Sequence, residues 1–186
     1  ATDVEMSVDA FIGADFVVAQ LEVPFEAIEQ AFKIARKQNI TTVLNPAPAI
    51  ELPKSLLELT DIIIPNETEA ELLTGISINN ESDMKETATY FLDLGISAVL
   101  ITLGEQGTYC AYQEQYKMIP ACNVKAIDTT AAGDTFIGAF LSELNKDLSN
   151  LESAIRLANQ ASSLTVQRKG AQASIPTRKE VEAEYN

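Results

Sequence analysis

Short apolar runs alternate with amphipathic stretches along this chain, and the alternation predicts strands separated by helices. Residues 15–21 (DFVVAQL) form an apolar, β-branched run that reads as a buried strand. Pro24 then opens a helix reaching about residue 38, with Phe25, Ile28, Phe32 and Ile34 on its apolar side. A second strand spans 41–44, and the prolines of Asn45-Pro46-Ala47-Pro48 forbid its ladder from continuing. A short helix at 54–59 leads to a third apolar strand at 61–64, stopped by Pro65. The next helix, 67–73, is closed by Gly75, and Ser82 is the expected cap of a helix that runs to about residue 94 and ends at Gly95.

Residues 98–102 form a fourth strand, 107–112 and 115–119 a hairpin, and 124–127 a further strand. From Thr130 the pattern is helical: 132–144, 151–166, and a short last helix after Pro176. Strands apolar on both faces, alternating with helices, indicate an α/β fold: three layers, α/β/α, around a mostly parallel sheet. At 186 residues the chain suffices for one well-cored domain, and two would be crowded.

Composition narrows the chemistry. Thirteen basic residues against 27 acidic ones give a formal charge of −14, which repels phosphate backbones and anionic lipid headgroups. Nucleic acid and membrane are therefore poor partners, although a cluster of backbone N–H groups can still hold a small anion. No apolar run approaches the length that crosses a bilayer, and no secretory leader is visible, so a cytoplasmic setting is expected. Cys110 and Cys122 lack ligand-like spacing and read as two buried thiols. Histidine is absent, which removes the Ser-His-Asp triad, the Cys-His pair and the common histidine zinc sites. Chemistry here must run on carboxylates, backbone dipoles, cations and bound cofactors.

Residues 128–136, DTTAAGDTF, follow a strand and open a helix rich in small residues. The first N–H groups of a helix lack internal partners and lie at the positive end of its dipole, so such a place can hold an anion. Ala131, Ala132 and Gly133 leave room for close approach, Gly133 accepts whatever backbone angles that requires, and Asp134 adds a carboxylate to the same space. An anion cradle beside a carboxylate is what phosphoryl transfer to an alcohol needs: one stabilises charge on the transferring group, the other accepts the hydroxyl proton. Capping and dipole preferences alone would also place Asp and Thr at a helix start.

The same segment resembles the C-terminal signature D-T-x-A/G-A-G-D-x-F of the phosphofructokinase-B (PfkB) carbohydrate kinases. Leu44-Asn45-Pro-Ala-Pro-Ala49, Pro65-Asn66-Glu67-Thr68-Glu69, Ile101-Thr102-Leu103-Gly104 and Arg168-Lys169-Gly170-Ala171 are similar to the ribokinase branch, in the same order along essentially the whole chain. The resemblance implies a ribokinase-like fold using ATP, Mg2+ and K+. It casts Asp134 as catalytic base toward the sugar's primary hydroxyl, with Ala131, Ala132 and Gly133 as the anion hole. Asn66 and Glu69 resemble the family's N-x-x-E motif, which organises magnesium, its waters and the phosphates. One turn apart at a helix start, they can face one site, and an oxygen-only environment suits a hard cation. Their alternative reading is a helix cap and an exposed acid.

Thr102-Leu-Gly104-Glu-Gln-Gly107 is similar to the loop lining the family's nucleotide site, although a hairpin would also explain its glycines. Asn159 resembles a residue beside the adenine, the alternative being an exposed helix Asn. The Asp128 side chain, the Thr130 carbonyl and carbonyls around Thr165, Arg168 and Gly170, with Ser174, look like the potassium site of ribokinases, and Glu22 matches a ribose-contacting glutamate. The absence of G-x-x-x-x-G-K-[ST], H-R-D and D-F-G sets aside P-loop and protein kinases.

The resemblance places Ala1 in the middle of such an enzyme. The family's N-terminal strands, its β-lid and its sugar-holding G-G-x-x-x-N segment have no counterpart in these residues. The expectation is a C-terminal portion carrying the nucleotide and catalytic parts, with an exposed sheet edge, a tendency to self-associate and little ribose kinase activity alone; the full-length parent would be a homodimer. The function expected of that parent is ATP-dependent conversion of D-ribose to ribose 5-phosphate. Kinases of fructose, 2-keto-3-deoxygluconate or a nucleoside are its rivals, and a nucleotide-binding module without catalysis, or a plain structural domain, are readings of a different class.

Overall fold

The structure, a computed structural model, describes residues 2–185. These divide into two compact units, 2–102 with 109–117, and 103–108 with 118–185.

The first unit carries most of the sheet. Strands β1 (Phe16–Ala19), β2 (Thr41–Leu44), β3 (Ile62–Ile63) and β4 (Ala98–Thr102) run parallel in that order, with Val17 opposite Thr42, Leu44 opposite Ile63, and Ile62 opposite Ala98. Strands β5 (Gly107–Tyr112) and β6 (Gln115–Pro120) complete the six-stranded order β1-β2-β3-β4-β5-β6. Gln113 and Glu114, both with positive φ, form the two-residue turn that joins them. The uninterrupted apolar character of the central strands has a direct cause: β2 through β4 are covered on both faces, and Val43, Leu44, Ile62, Ile63 and Val99 are wholly buried. Strand β1 ends the sheet order, and its Val18 is 47% exposed.

The helices of this unit follow their sequence signals. Helix α1 (Thr2–Met6) and a 3-10 turn at Val8–Phe11 precede the sheet, in a stretch for which the sequence suggested no element. Helix α2 (Phe25–Lys37) starts after Pro24 and buries Ile28, Phe32, Ile34 and Ala35, and Arg36 and Lys37 suit the negative end of its dipole. Ile28 and Phe32 pack with Leu21, Leu44 and Leu56, the last from α3 (Lys54–Leu57). Helix α4 (Glu67–Thr74) ends at Gly75 in the left-handed conformation, as predicted. Helix α5 (Glu81–Asp93) is capped by Asn80, not Ser82: Asn80 is extended, and its carboxamide oxygen accepts the N–H groups of Ser82 and Asp83. An amide oxygen reaches two donors from two residues earlier, so the hydroxyl of Ser82 is not needed for the cap.

The second unit is helical. Helices α6 (Ala132–Glu143) and α7 (Leu151–Thr165) pack against each other, and α8 (Arg178–Tyr185) joins them through Val181 against Ala161 and Leu164. The strand expected at 124–127 does not form. The N–H groups of Ile127 and Asp128 both donate to the Val166 carbonyl at the end of α7, so this backbone satisfies a helix terminus and joins no ladder. Among the described residues, no helix is long and apolar enough to cross a membrane.

Candidate active site

In a parallel sheet, ligands sit beyond the carboxyl ends of the strands, and four predicted site residues of the first unit lie there. Glu22 is exposed in the turn after β1, Asn66 and Glu69 follow β3, and Thr102 ends β4. Asn66 pairs with Thr102 as an isolated parallel bridge, and the Thr102 N–H donates to the Pro65 carbonyl at 2.9 Å.

Asn66 and Glu69 engage each other. The Asn66 Oδ1 accepts the Glu69 N–H at 2.9 Å, while the Glu69 carboxylate accepts the Asn66 N–H at 2.8 Å and its Nδ2 at 2.9 Å. This reciprocal capping box starts α4, so the cap half of the alternative reading holds. The exposed-acid half does not, because Glu69 is buried. Burial raises the pKa of its carboxyl, against the lowering effect of the Asn66 bonds. A desolvated carboxylate is a hard oxygen ligand, which fits the water shell of a divalent cation.

Asn45 is a residue of this region to which sequence reasoning gave no role. Its Nδ2 donates to the Ile64 carbonyl at 2.8 Å and its Oδ1 accepts from Gln20 Nε2 at 2.9 Å, so one carboxamide links the ends of β1, β2 and β3. The available signal was a polar residue between an apolar strand and a proline.

In the second unit, residues 128–134 turn sharply into α6. Helix α6 has no side-chain cap; its first flanking residue, Ala131, is left-handed at φ 62°, ψ 11°. The unusual backbone angle thus falls on Ala131 and not on Gly133, which is helical. A side chain costs about 1–2 kcal/mol in that conformation. A Cβ at Gly133 would meet nothing within 4 Å, so the space before the first turn is open, and Asp134 is exposed beside it.

The Asp128 carboxylate organises this turn. It accepts the Thr130 N–H at 3.0 Å, the Thr130 hydroxyl at 2.6 Å and the Gly170 N–H at 3.0 Å. These bonds, that of Gly170 foremost, lower its pKa to about 2. Of the predicted potassium-site residues, Asp128, Thr130 and Gly170 are therefore directly connected. The Thr165 carbonyl accepts the Arg168 N–H, and the buried Ser174 hydroxyl donates to Ala171. An exposed carboxylate that stays ionised down to about pH 2 suits a monovalent cation. No cluster of three or more His, Cys, Asp or Glu that could hold a metal occurs among the described residues.

The remaining two predictions change character. Gly104 and Gly107 bracket a tight 3-10 turn, and a Cβ on Gly107 would lie 2.2 Å from the Ile119 carbonyl oxygen, so the hairpin alone demands this glycine. Asn159 is buried and is not an exposed helix residue; its side chain bonds to protein groups.

Residues 6–178 match the pfkB family carbohydrate kinases. The chain belongs to that family. It is 64% identical over 179 residues to the ribokinase of Staphylococcus aureus (strain COL), covering 96% of this chain and 59% of that relative. Over 181 residues it is 40% identical to the ribokinase of Schizosaccharomyces pombe, covering 92% and 55%. A solved structure of Arabidopsis thaliana ribokinase complexed with ribose and ATP superposes with a TM-score of 0.90 at 31% identity, over 96% of this chain and 58% of that one. The fold is the three-layer, mostly parallel α/β fold of these kinases. The chain spans somewhat over half the length of these relatives.

Proposed function

We propose that this chain supplies the ATP-handling and phosphoryl-transfer residues of a kinase that converts D-ribose to ribose 5-phosphate. The observation that carries the reading is the start of α6, where a left-handed Ala131, an open space before Gly133 and an exposed Asp134 adjoin. Relatives named ribokinase support the choice of sugar.

In this reading the Asp134 carboxylate accepts the proton of the sugar's primary hydroxyl as its oxygen attacks the γ-phosphorus of ATP. The bond to the bridging oxygen breaks and ADP leaves. The N–H groups at residues 131–133 face the charge on the transferring oxygens, where fixed donors act without reorganising. Asn66 and Glu69 orient the water shell of a phosphate-bound cation, Thr102 and Gly104 border the nucleotide, and Glu22 contacts the sugar. When bound, magnesium neutralises phosphate charge, and potassium beside Asp128 adds a fixed positive charge behind the α6 turn. A cytoplasmic setting and homodimeric assembly of the full-length parent belong to the same reading.

The test has two arms. Calorimetric titration of ATP with magnesium and potassium into this chain is expected to show binding that Asn66→Ala weakens. In the full-length parent, Asp134→Asn is expected to lower kcat for ribose phosphorylation by about 10²–10⁴-fold. Undiminished turnover in that variant would overturn the reading.

A further inference from the structure

Glu180 lies in the first turn of α8, and its carboxylate is shared between two structures. One oxygen, Oε2, accepts the Thr177 N–H and hydroxyl, both at 2.8 Å, which caps α8. The other, Oε1, accepts from Arg168 Nη2 at 2.8 Å. An N-terminal cap needs only the first of these.

Arg168 sits in the loop that leaves α7, and both ends of that loop hold the turn before α6. At one end, the Val166 carbonyl accepts the N–H groups of Ile127 and Asp128 at 2.7 and 3.1 Å. At the other, Gly170, at φ 96°, turns its N–H to the Asp128 carboxylate. Asp128 then fixes Thr130 through two bonds, and Thr130 precedes the left-handed Ala131. That angle is unfavourable for a residue with a Cβ, so it persists only while its surroundings impose it.

We propose that Glu180 is a positioning residue for phosphoryl transfer: through Arg168 it pins the 166–170 loop, and the loop holds the Asp128–Thr130 turn that aims the first N–H groups of α6. The proposal rests on the functional reading above. An exposed ion pair adds little to global stability; its effect here is geometric, and small misplacements of transition-state donors are costly in rate.

The experiment compares Glu180→Gln, Arg168→Met and Arg168→Lys with Arg178→Ala. Glu180→Gln keeps an oxygen for the Thr177 cap, and Arg168→Met leaves α8 untouched should the first variant fold poorly. Arg178→Ala removes two further ion pairs of α8, those to Glu143 and Glu182, and controls for loosening of the helix. Two quantities are read: hydrogen exchange of amides 130–133 in this chain without nucleotide, and kcat and KM for ATP in the full-length parent. Glu180→Gln and Arg168→Met are expected to speed that exchange and lower kcat, each by about tenfold, with KM for ATP within about twofold. Arg168→Lys should recover part of both effects, and Arg178→Ala should show neither. Exchange and kcat in Glu180→Gln and Arg168→Met that match Arg178→Ala would overturn the proposal. A parent in which Asp134→Asn stays active would instead overturn the functional reading, leaving the exchange result to stand by itself.

Discussion

The hydroxyl of Thr108 donates to Oδ1 of Asn159 at 2.9 Å inside the second unit, with both residues buried. The Asn159 Nδ2 donates to the carbonyls of Ile119 and Pro120 at 3.1 and 3.2 Å. One carboxamide therefore ties α7 to the chain on both sides of the hairpin, using most of its bonding capacity on protein groups.

Asn159→Ala should be destabilising by about 2–4 kcal/mol in urea unfolding, because it strands a buried hydroxyl and two carbonyls. Thr108→Val should cost about 1–2 kcal/mol, and the double variant should cost less than the sum. Additive losses would show that the two side chains do not act as a pair.

Gly107→Ala is expected to be among the most damaging small substitutions in the chain. Its Cβ would fall 2.2 Å from the Ile119 oxygen and 2.5 Å from the Ala121 nitrogen, both backbone atoms that cannot rotate away. A loss on the order of 3 kcal/mol or more follows from the clash together with φ 112°. Gly104→Ala has open space and bears only the left-handed cost, about 1–2 kcal/mol. Thermal melts that rank the two equally would contradict this.

Acid should loosen the second unit through two of its carboxylates. The carboxyls of Asp128 and Glu180 are held at about 2, Asp128 by the Gly170 and Thr130 bonds, Glu180 by Thr177 and then Arg168. Both are depressed, so their contribution is fully present above their ordinary values near 3.8 and 4.5 and is lost as pH falls toward 2. Melting temperature measured from pH 7 to 2 should drop through this window, and Asp128→Asn should start lower and fall less steeply. An Asp128→Asn curve parallel to the parent curve would refute the assignment.

Glu69 presents the opposite sign. Burial raises its pKa, so its ionised form costs stability as pH rises through that raised value. Glu69→Gln removes the charge and keeps an oxygen for the Asn66 N–H, but sets its NH2 against Asn66 Nδ2, so its melting deficit against the parent should narrow as pH rises to 7, while binding of ATP with magnesium weakens. Glu69→Ala, which breaks the capping box, should lose about 1 kcal/mol. A deficit as large at pH 7 as at low pH would show that ionising Glu69 costs the fold nothing.

The sequence by itself determined the order and type of nearly every element, because periodicity and punctuation are local. Fully apolar runs mark strands buried on both faces, Pro24 opens α2, and Gly75 closes α4. The small-residue start of α6 and its neighbouring Asp134 were legible for the same reason, since helix termini expose the same groups wherever they occur. What only the tertiary structure decided are the partners that distant residues provide. Residues 124–127 have the composition of a strand, yet the Ile127 N–H goes to the end of α7. Asn159 looks like a surface residue until Thr108 and the Ile119 carbonyl close around it, and Asp128 becomes the centre of a turn only when Gly170 arrives from 42 residues away. A hydrogen bond is directional and short, so its partner is fixed by how the chain folds back, which no local pattern records.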